Sequence, residues 1–147
     1  MERKALCTAV KIITLITYLG MIAVNALAAL LPINGITPAE VSDLYPNLFT
    51  PAGVTFSIWG LIYALLALFT GYFLLSKNAP VQLLCKIGIL FSLSSAANIL
   101  WIFAWHYQII PLSVGLMLII LVCLIWIMQM ITQQELTRRE KFFIKLP

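Results

Sequence analysis

Four long apolar segments, separated by short polar stretches, dominate the pattern of hydrophobic and polar positions along the chain. Each is long enough to cross about 30 Å of hydrocarbon, which takes roughly 20 residues of α-helix. The pattern therefore predicts an all-α protein, a polytopic transmembrane bundle of four spanning helices at about residues 12–31, 51–75, 87–105 and 110–131. An outer loop at 32–50 and a tail at 132–147 complete the chain, and we expect one domain over residues 1–147.

The composition agrees with a chain that lies in lipid. Hydrophobic residues make up 63% of the sequence and charged residues 10%, whereas a soluble domain carries about 25% charged residues. A chain with so few charges cannot cover a water-facing surface. We therefore expect an integral membrane protein whose first partner is membrane lipid.

The basic residues predict how the helices are oriented. With the N-terminus inside, all nine basic residues fall on the inner side, and the outer loop carries only Glu40 and Asp43. Because cytoplasmic loops are enriched in Lys and Arg, both termini should be cytoplasmic. The net charge of +4 thus reflects topology, and we expect no nucleic acid as a partner, since no nucleic-acid motif accompanies it.

The first apolar segment has an alternative interpretation as a cleavable secretion signal. Arg3 and Lys4 precede it, and Ala26-Leu27-Ala28 resembles a cleavage site. We favour a spanning helix because the apolar stretch is longer than a signal core and contains Asn25.

Threonine–proline pairs predict two helix starts. Thr50 can cap a helix and Pro51 has no N–H to leave unpaired, so together they predict the start of the second span. In the outer loop, which is otherwise rich in turn residues, Thr37 and Pro38 predict a short helix for the same reason.

An aromatic stripe marks the second span. Phe56, Trp59 and Tyr63 are spaced by three and four residues, which places them on one side of a helix. Such stripes pack against other helices or line a ligand site, and spacing alone leaves both interpretations open.

The third span has a similar stripe that includes polar groups. Ser94, Asn98, Trp101 and Trp105 follow at spacings of four, three and four. An amide within the membrane is costly unless it forms hydrogen bonds, so Asn98 should face protein, water or ligand. The small residues of this span would in either case allow close helix packing; they are Ser92, Ser94, Ser95, Ala96 and Ala97.

At this point two motifs resemble those of the TspO/translocator-protein family, also called peripheral benzodiazepine receptors or tryptophan-rich sensory proteins. The segment PAGVTFSIWGLIY is similar to the family's Pro-x-x-x-x-Phe-x-x-x-Trp-x-x-x-Tyr signature, with two residues instead of three between Phe56 and Trp59, and ANILWIFAW is similar to its Asn-x-x-Trp motif. The resemblance covers roughly residues 51–131. The family has five helices and a tryptophan in its first loop, so this chain resembles a divergent member or a fragment that ends where the fifth helix would begin.

The resemblance implies a ligand pocket. Family members bind tetrapyrroles such as protoporphyrin, and Trp59, Tyr63, Asn98 and Trp101 match the motif positions that line the pocket. We expect Phe56 and Ser94 to lie behind them. The resemblance further implies a sensory or stress-regulatory receptor in the bacterial cytoplasmic membrane that assembles as a homodimer.

Catalytic chemistry is not expected. His106, the single histidine, falls in a predicted hairpin, where we expect it to face water rather than bind a metal or haem. The cysteines Cys7, Cys85 and Cys123 lack a pairing or metal-ligand pattern, so we expect buried thiols and no cofactor apart from a tetrapyrrole ligand. A small transporter or a subunit of a larger membrane complex is the alternative function. Proton-coupled export is disfavoured because no carboxylate lies within the spans.

The predicted orientation can be tested by cysteine labelling. In a variant whose native cysteines are replaced by alanine, Asp43→Cys should react with a membrane-impermeant maleimide in intact cells. Lys77→Cys should react only after the cells are permeabilised. The opposite pattern would contradict the assignment of both termini to the cytoplasm.

Overall fold

The structure, a computed structural model, describes residues 2–31, 33–45, 52–76 and 81–147. Its α-helices are α1 (Glu2–Leu30), α2 (Pro38–Asp43), α3 (Ile58–Leu75), α4 (Val81–His106), α5 (Ile110–Thr132) and α6 (Arg138–Glu140). Turns of 3-10 helix at Ile33–Gly35 and Gly53–Ser57 precede α2 and α3, and a π-helical turn at Lys141–Lys145 follows α6. The described residues contain no strand, and α1, α3, α4 and α5 are long and apolar enough to cross a membrane. Both findings confirm the predicted fold class.

Hydropathy located the spans better than it located the helix ends. Helix α1 begins at Glu2 and α4 at Val81, well before the predicted residues 12 and 87, because a helix can continue with polar residues beyond the apolar core. The second span was predicted to start at Thr50-Pro51, which lie outside the described residues, and its regular α-helix begins only at Ile58. The short helix at Thr37-Pro38 is confirmed: Thr37 and Glu40 form a capping box.

Successive spanning helices run in opposite directions, which gives the bundle two distinct ends. The hairpin end carries residues 31–57 and the α4–α5 connection at 107–109. The basic end carries the first residues of α1, the start of α4 and the segment 133–147. Both the first and the last described residues therefore lie at the basic end.

Helix α4 is the centre of the bundle. More than half of its most apolar stretch is buried (56%), against 17% in each of the other three spanning helices. Its buried face includes small and hydroxyl residues such as Ser92, Ser95 and Ala97 towards α1 and α5. Small residues let neighbouring helices approach closely in a membrane, as the sequence predicted.

Hydrogen bonds join α1 to α4 along this face. The hydroxyl of Thr14 donates to the carbonyl of Gly88 at 3.3 Å and lies 3.1 Å from the hydroxyl of Ser92, which itself donates to the Gly88 carbonyl at 2.7 Å. Thr14 is fully buried. Hydroxyls of this kind, satisfied across two helices, supply part of the attraction that apolar burial cannot supply in lipid.

Side chains of two neighbouring helices pack tightly against Gly88. A Cβ at Gly88 would lie 2.7 Å from Cε1 of Phe73 and 2.9 Å from Cγ1 of Val10. At Gly60, Gly71 and Gly115 a Cβ would meet no atom within 4 Å. Close packing thus explains why a glycine is needed at position 88, but it does not explain the glycines at positions 60, 71 and 115.

Two cysteines pair, contrary to the sequence-based expectation. Cys7 at the start of α1 forms a disulfide with Cys85 in α4, with their Cα atoms 5.6 Å apart, whereas Cys123 is free and buried. The separation of 78 residues along the chain carries no pairing pattern, so the bond follows only from the parallel packing of α1 against α4. It links these two helices at the basic end.

Lys11 fixes the end of α3 against α1. Its Nζ donates to the carbonyls of Leu74 and Ser76 at 3.2 and 3.1 Å and lies 5.5 Å from the ring centroid of Phe73. The last carbonyls of a helix have no partner within the helix, and a cation there satisfies them and opposes the helix dipole. A residue that the sequence marks for topology thus also holds two helices together.

Gly88→Ala should destabilise the bundle, because the added methyl would push the Phe73 ring and Val10 out of place. Overpacking of a well-packed site typically costs about 1–3 kcal/mol, so the thermal unfolding midpoint in detergent should fall. Gly115→Ala is the matched control and should leave the midpoint unchanged or raise it slightly. Equal midpoints for the two variants would contradict the close approach at Gly88.

Candidate ligand-binding site

A cavity of about 380 Å³ lies near the hairpin end of the bundle, between α1, α2, α3 and α4. Its walls are mainly apolar and aromatic, with a few polar groups. The residues that line it are Ile22, Asn25, Ala26, Ala29, Thr37, Pro38, Ala39, Trp59, Gly60, Tyr63, Trp101 and Ile102. Concave apolar sites with few polar groups are typical of small-molecule binding.

Stacked aromatic rings from two helices form one side of the cavity. Trp59 lies 6.0 Å from Tyr63 on α3 and 6.1 Å from Trp101 on α4, measured between ring centroids. Trp101 in turn stacks on Trp105 at 6.1 Å with 21° between the ring planes. The two sequence stripes therefore meet, and Trp59, Tyr63 and Trp101 of this aromatic cluster line the cavity.

An asparagine pair joins α1 to α4 beside these rings. The Nδ2 of Asn25 donates to Oδ1 of Asn98 at 2.7 Å and to the carbonyl of Met21 at 2.8 Å. Asn98 is buried, while Asn25 is half-buried and lines the cavity. Asn98 was expected to face protein, water or ligand, and it faces protein, where its side-chain oxygen accepts a hydrogen bond from Asn25.

Tyr63 lines the cavity, but its hydroxyl is enclosed by protein and is not open to the cavity. It is buried and has no hydrogen-bond partner among the described residues, although the backbone carbonyl of Tyr63 accepts a 3.0 Å bond from the Tyr18 hydroxyl. A buried hydroxyl without a partner is unfavourable.

Residues 33–44, called the cover segment here, close the cavity at the hairpin end. Trp105 Nε1 donates to the carbonyl of Pro38 at 3.2 Å, and the Asn34 amide donates to the carbonyl of His106 at 3.2 Å. Val41, which belongs to the segment, is fully buried. Asn34 and Gly35 adopt φ values of 57° and 76°, a left-handed turn that Asn and Gly adopt most readily.

His106 does not face water, so that prediction was wrong. Its side chain is fully buried, and Nδ1 donates to the carbonyl of Ile102 at 2.7 Å. Its Nε2 is buried without a hydrogen-bond partner among the described residues. The hairpin that suggested exposure is overlaid by the turn around Asn34, which sequence position alone did not indicate. No group of three or more potential metal ligands occurs in the described part of the chain.

Five of the six predicted site residues have side chains that the structure describes, and three of them line the cavity. Trp59, Tyr63 and Trp101 line the cavity, and Asn98 lies behind its wall in contact with Asn25. Ser94 is buried one turn nearer the start of α4, donates to the Phe91 carbonyl at 2.9 Å and does not line the cavity. The side chain of Phe56 lies outside the described residues.

Several wall residues were missed by the sequence reasoning. Asn25 was the detectable one, because an amide in an apolar span signals a polar contact wherever it occurs. Ile22 and Pro38 carried no comparable signal, since an aliphatic residue in a span and a proline in a loop are ordinary. Their place in the wall depends on how α1 and the cover segment pack.

Comparison with known proteins identifies the family. No curated protein and no solved structure matches the chain. A family model described as TSPO-like protein matches residues 11–147, which extends the resemblance beyond residues 51–131 to the first span and the tail. Since the model covers most of the sequence, the chain belongs to the TSPO-like protein family.

Proposed function

We propose that this membrane protein binds a flat, hydrophobic ligand of the tetrapyrrole class in the cavity at the hairpin end, without catalysing a reaction on it. The observation that carries the proposal is the convergence of Trp59, Tyr63 and Trp101 on one cavity. Rings from two helices offer stacking surfaces. The side-chain carbonyl of Asn25, whose Nδ2 is already used by Met21 and Asn98, can accept a hydrogen bond from a polar edge.

The size of the cavity suggests how a macrocycle would sit. At about 380 Å³ it lies towards the small end of ligand sites, which span roughly 300–1,000 Å³. The cavity would therefore enclose one edge of a porphyrin while the rest extends out of the bundle. Ala26, Ala29 and Gly60 are small, exposed residues that line the α1 and α3 walls, which supports a lateral opening between these helices.

Binding of this kind suits a sensory or stress-regulatory role. An uncharged wall can take up an apolar ligand directly from the bilayer, and the cover segment could respond to its presence because Thr37 and Pro38 line the cavity. We place the protein in the bacterial cytoplasmic membrane with both termini cytoplasmic, surrounded by lipid and assembled as a homodimer.

A small transporter or a subunit of a larger complex is the second candidate. The lateral opening would suit passage of an apolar molecule, but no Asp or Glu lies between residues 44 and 134 to couple transport to protons. Release of bound porphyrin across a vesicle membrane, measured against protein-free vesicles, would favour transport. Saturable binding without release favours the receptor.

Trp59→Ala should weaken protoporphyrin binding about tenfold, because the loss of one stacked indole removes on the order of 1.4 kcal/mol. Trp126→Ala is the control, since Trp126 lies exposed on α5 away from the cavity, and should change the Kd by less than about twofold. Porphyrin absorbance on the full chain in detergent gives the Kd without relying on the replaced tryptophan. Equal losses would refute the site.

Gly60→Leu should also block binding, through a different mechanism. A Cβ at Gly60 meets no atom within 4 Å, so a leucine there projects into the cavity without disturbing the fold. Gly115→Leu is the matched control, because Gly115 is equally open but lies on α5. If Gly60→Leu left both the porphyrin affinity and the unfolding midpoint unchanged, porphyrin could not bind next to Gly60 in this cavity.

A further inference from the structure

A repeat of seven residues runs along the side of α1 that packs on α4. Cys7, Thr14, Met21 and Ala28 are all buried and follow one another at intervals of seven. Because seven residues make close to two turns of an α-helix, these four side chains form one stripe, called the seam here. Within the seam, the hydroxyl of Thr14 lies 3.1 Å from that of Ser92 on α4.

The register of the seam also brings two cysteines together. Thr14 and Ser92 are 78 residues apart in the sequence, and so are Cys7 and Cys85. The cysteine pair thus lies one repeat from the hydroxyl pair on both helices, and parallel helices keep their register over two turns. The Cα atoms of the cysteines are 5.6 Å apart, a usual distance for a disulfide. Since the hydroxyl pair holds the same register, the two cysteines meet in the reduced chain as well.

The surroundings of Cys7 suit a free thiol as well as a bonded sulfur. Its Sγ lies 3.9 Å from the carbonyl of Val81, to which a thiol can donate a weak hydrogen bond. One turn further along α1, Val10 packs tightly against Gly88, and Lys11 binds the last carbonyls of α3. These contacts hold α1 in place without the disulfide. The bond can therefore open and close without a rearrangement of the bundle.

The two cysteines differ in exposure. Cys7 is buried, whereas Cys85 is only partly buried and is followed in the sequence by the exposed Lys86. Cysteines that react with oxidants are typically partly exposed in positively charged surroundings, and a second cysteine beside them resolves the first oxidation product. Cys85 suits the first role and Cys7 the second. The third cysteine, Cys123, is free and buried on α5.

The position of the pair argues against a permanent bond. Cys7 and Cys85 lie at the basic end of the bundle, which the distribution of Lys and Arg predicts to be cytoplasmic. Cytosolic thiols are kept reduced by glutathione and thioredoxin, and disulfides there are usually transient and sense the redox state. A pair that packing holds together at this end is therefore suited to reversible oxidation.

We propose that Cys7 and Cys85 form a reversible oxidation site for hydrogen peroxide, whose disulfide fixes the start of α1 to α4. The Cys85 thiol takes one oxygen from peroxide and becomes a sulfenic acid, with release of one water. The Cys7 thiol then attacks the Cys85 sulfur, which forms the S–S bond and releases a second water. Two glutathione molecules reverse the reaction: they return two electrons and two protons to the cysteines and become glutathione disulfide.

The inference does not rest on porphyrin binding, because the cysteines and the ligand cavity lie at opposite ends of the bundle. Thiol trapping in cells that express the full chain tests it directly. In Cys123→Ala, which leaves only the two cysteines of the pair, a maleimide linked to polyethylene glycol adds mass to each free thiol after an acid quench. The chain from growing cells should gain two additions. It should gain none after a pulse of peroxide, and two again once the peroxide is removed.

A cysteine moved off the seam is the matched control. Ala9 is exposed on α1, and two residues correspond to a rotation of about 200° around the helix. In the Cys123→Ala background, Cys7→Ser with Ala9→Cys should therefore yield no disulfide-linked peptide pair after peroxide. With Cys7→Ser alone, dimedone should capture a sulfenic acid at Cys85. With Cys85→Ser alone, dimedone labelling should be weak because Cys7 is buried.

The effect of the bond on the bundle is measured on the purified, porphyrin-free chain in detergent. The oxidised chain should unfold roughly 5–10 °C above the reduced chain, because the bond closes a long loop of the unfolded chain. Oxidant should leave the unfolding midpoint of Cys7→Ser unchanged. Equal midpoints for the oxidised and reduced chains would mean that the bond does not fix α1 to α4.

The trapping experiment can also overturn the proposal. A chain without free thiols in growing cells would carry a permanent structural disulfide. Two free thiols after peroxide would mean that the pair does not react. A disulfide that forms as readily from the cysteine off the seam would mean unspecific oxidation, and equal dimedone labelling of the two single variants would contradict the separate roles of Cys85 and Cys7.

Discussion

The fold depends on polar groups that pair between α1 and α4 inside the membrane. Lipid is as apolar as leucine, so burial of apolar surface does not by itself bring two spanning helices together. Thr14 with Gly88 and Ser92, and Asn25 with Asn98, supply directed contacts at two levels. The disulfide of Cys7 and Cys85 adds a covalent link at one end of the same face.

This face also fixes where ligands can bind. Since α4 uses its small residues against α1 and α5, its larger rings point past α1 towards α3, and Trp101 there meets Trp59. Helix α3 itself is held near its two ends, by Tyr18 at the Tyr63 carbonyl and by Lys11 at its last carbonyls. Because hydrogen bonds hold α3 to α1 only at these places, space remains between the helices, and the cavity at the hairpin end lies along α3.

Properties that depend on local sequence could be predicted, and those that depend on packing between distant residues could not. Hydropathy, a threonine cap and three-and-four spacing are local, and they gave the four spans, α2 and the aromatic stripes. The Cys7–Cys85 bond, the Asn25–Asn98 pair and the burial of His106 join residues more than 70 positions apart. Only the packing of α1 and the cover segment on α4 brings them together.

Helix α3 borders the cavity at the hairpin end and also a second apolar cavity, which lies between α3, α4 and α5 towards the basic end. Trp59, Gly60 and Tyr63 face one, and Leu66 and Phe69, beginning one turn further along, face the other. A helix moves largely as a rigid rod, so a tilt of α3 that widens the space at its first turns alters the space at its middle turns as well. A tilt of α3 would therefore change the two volumes together.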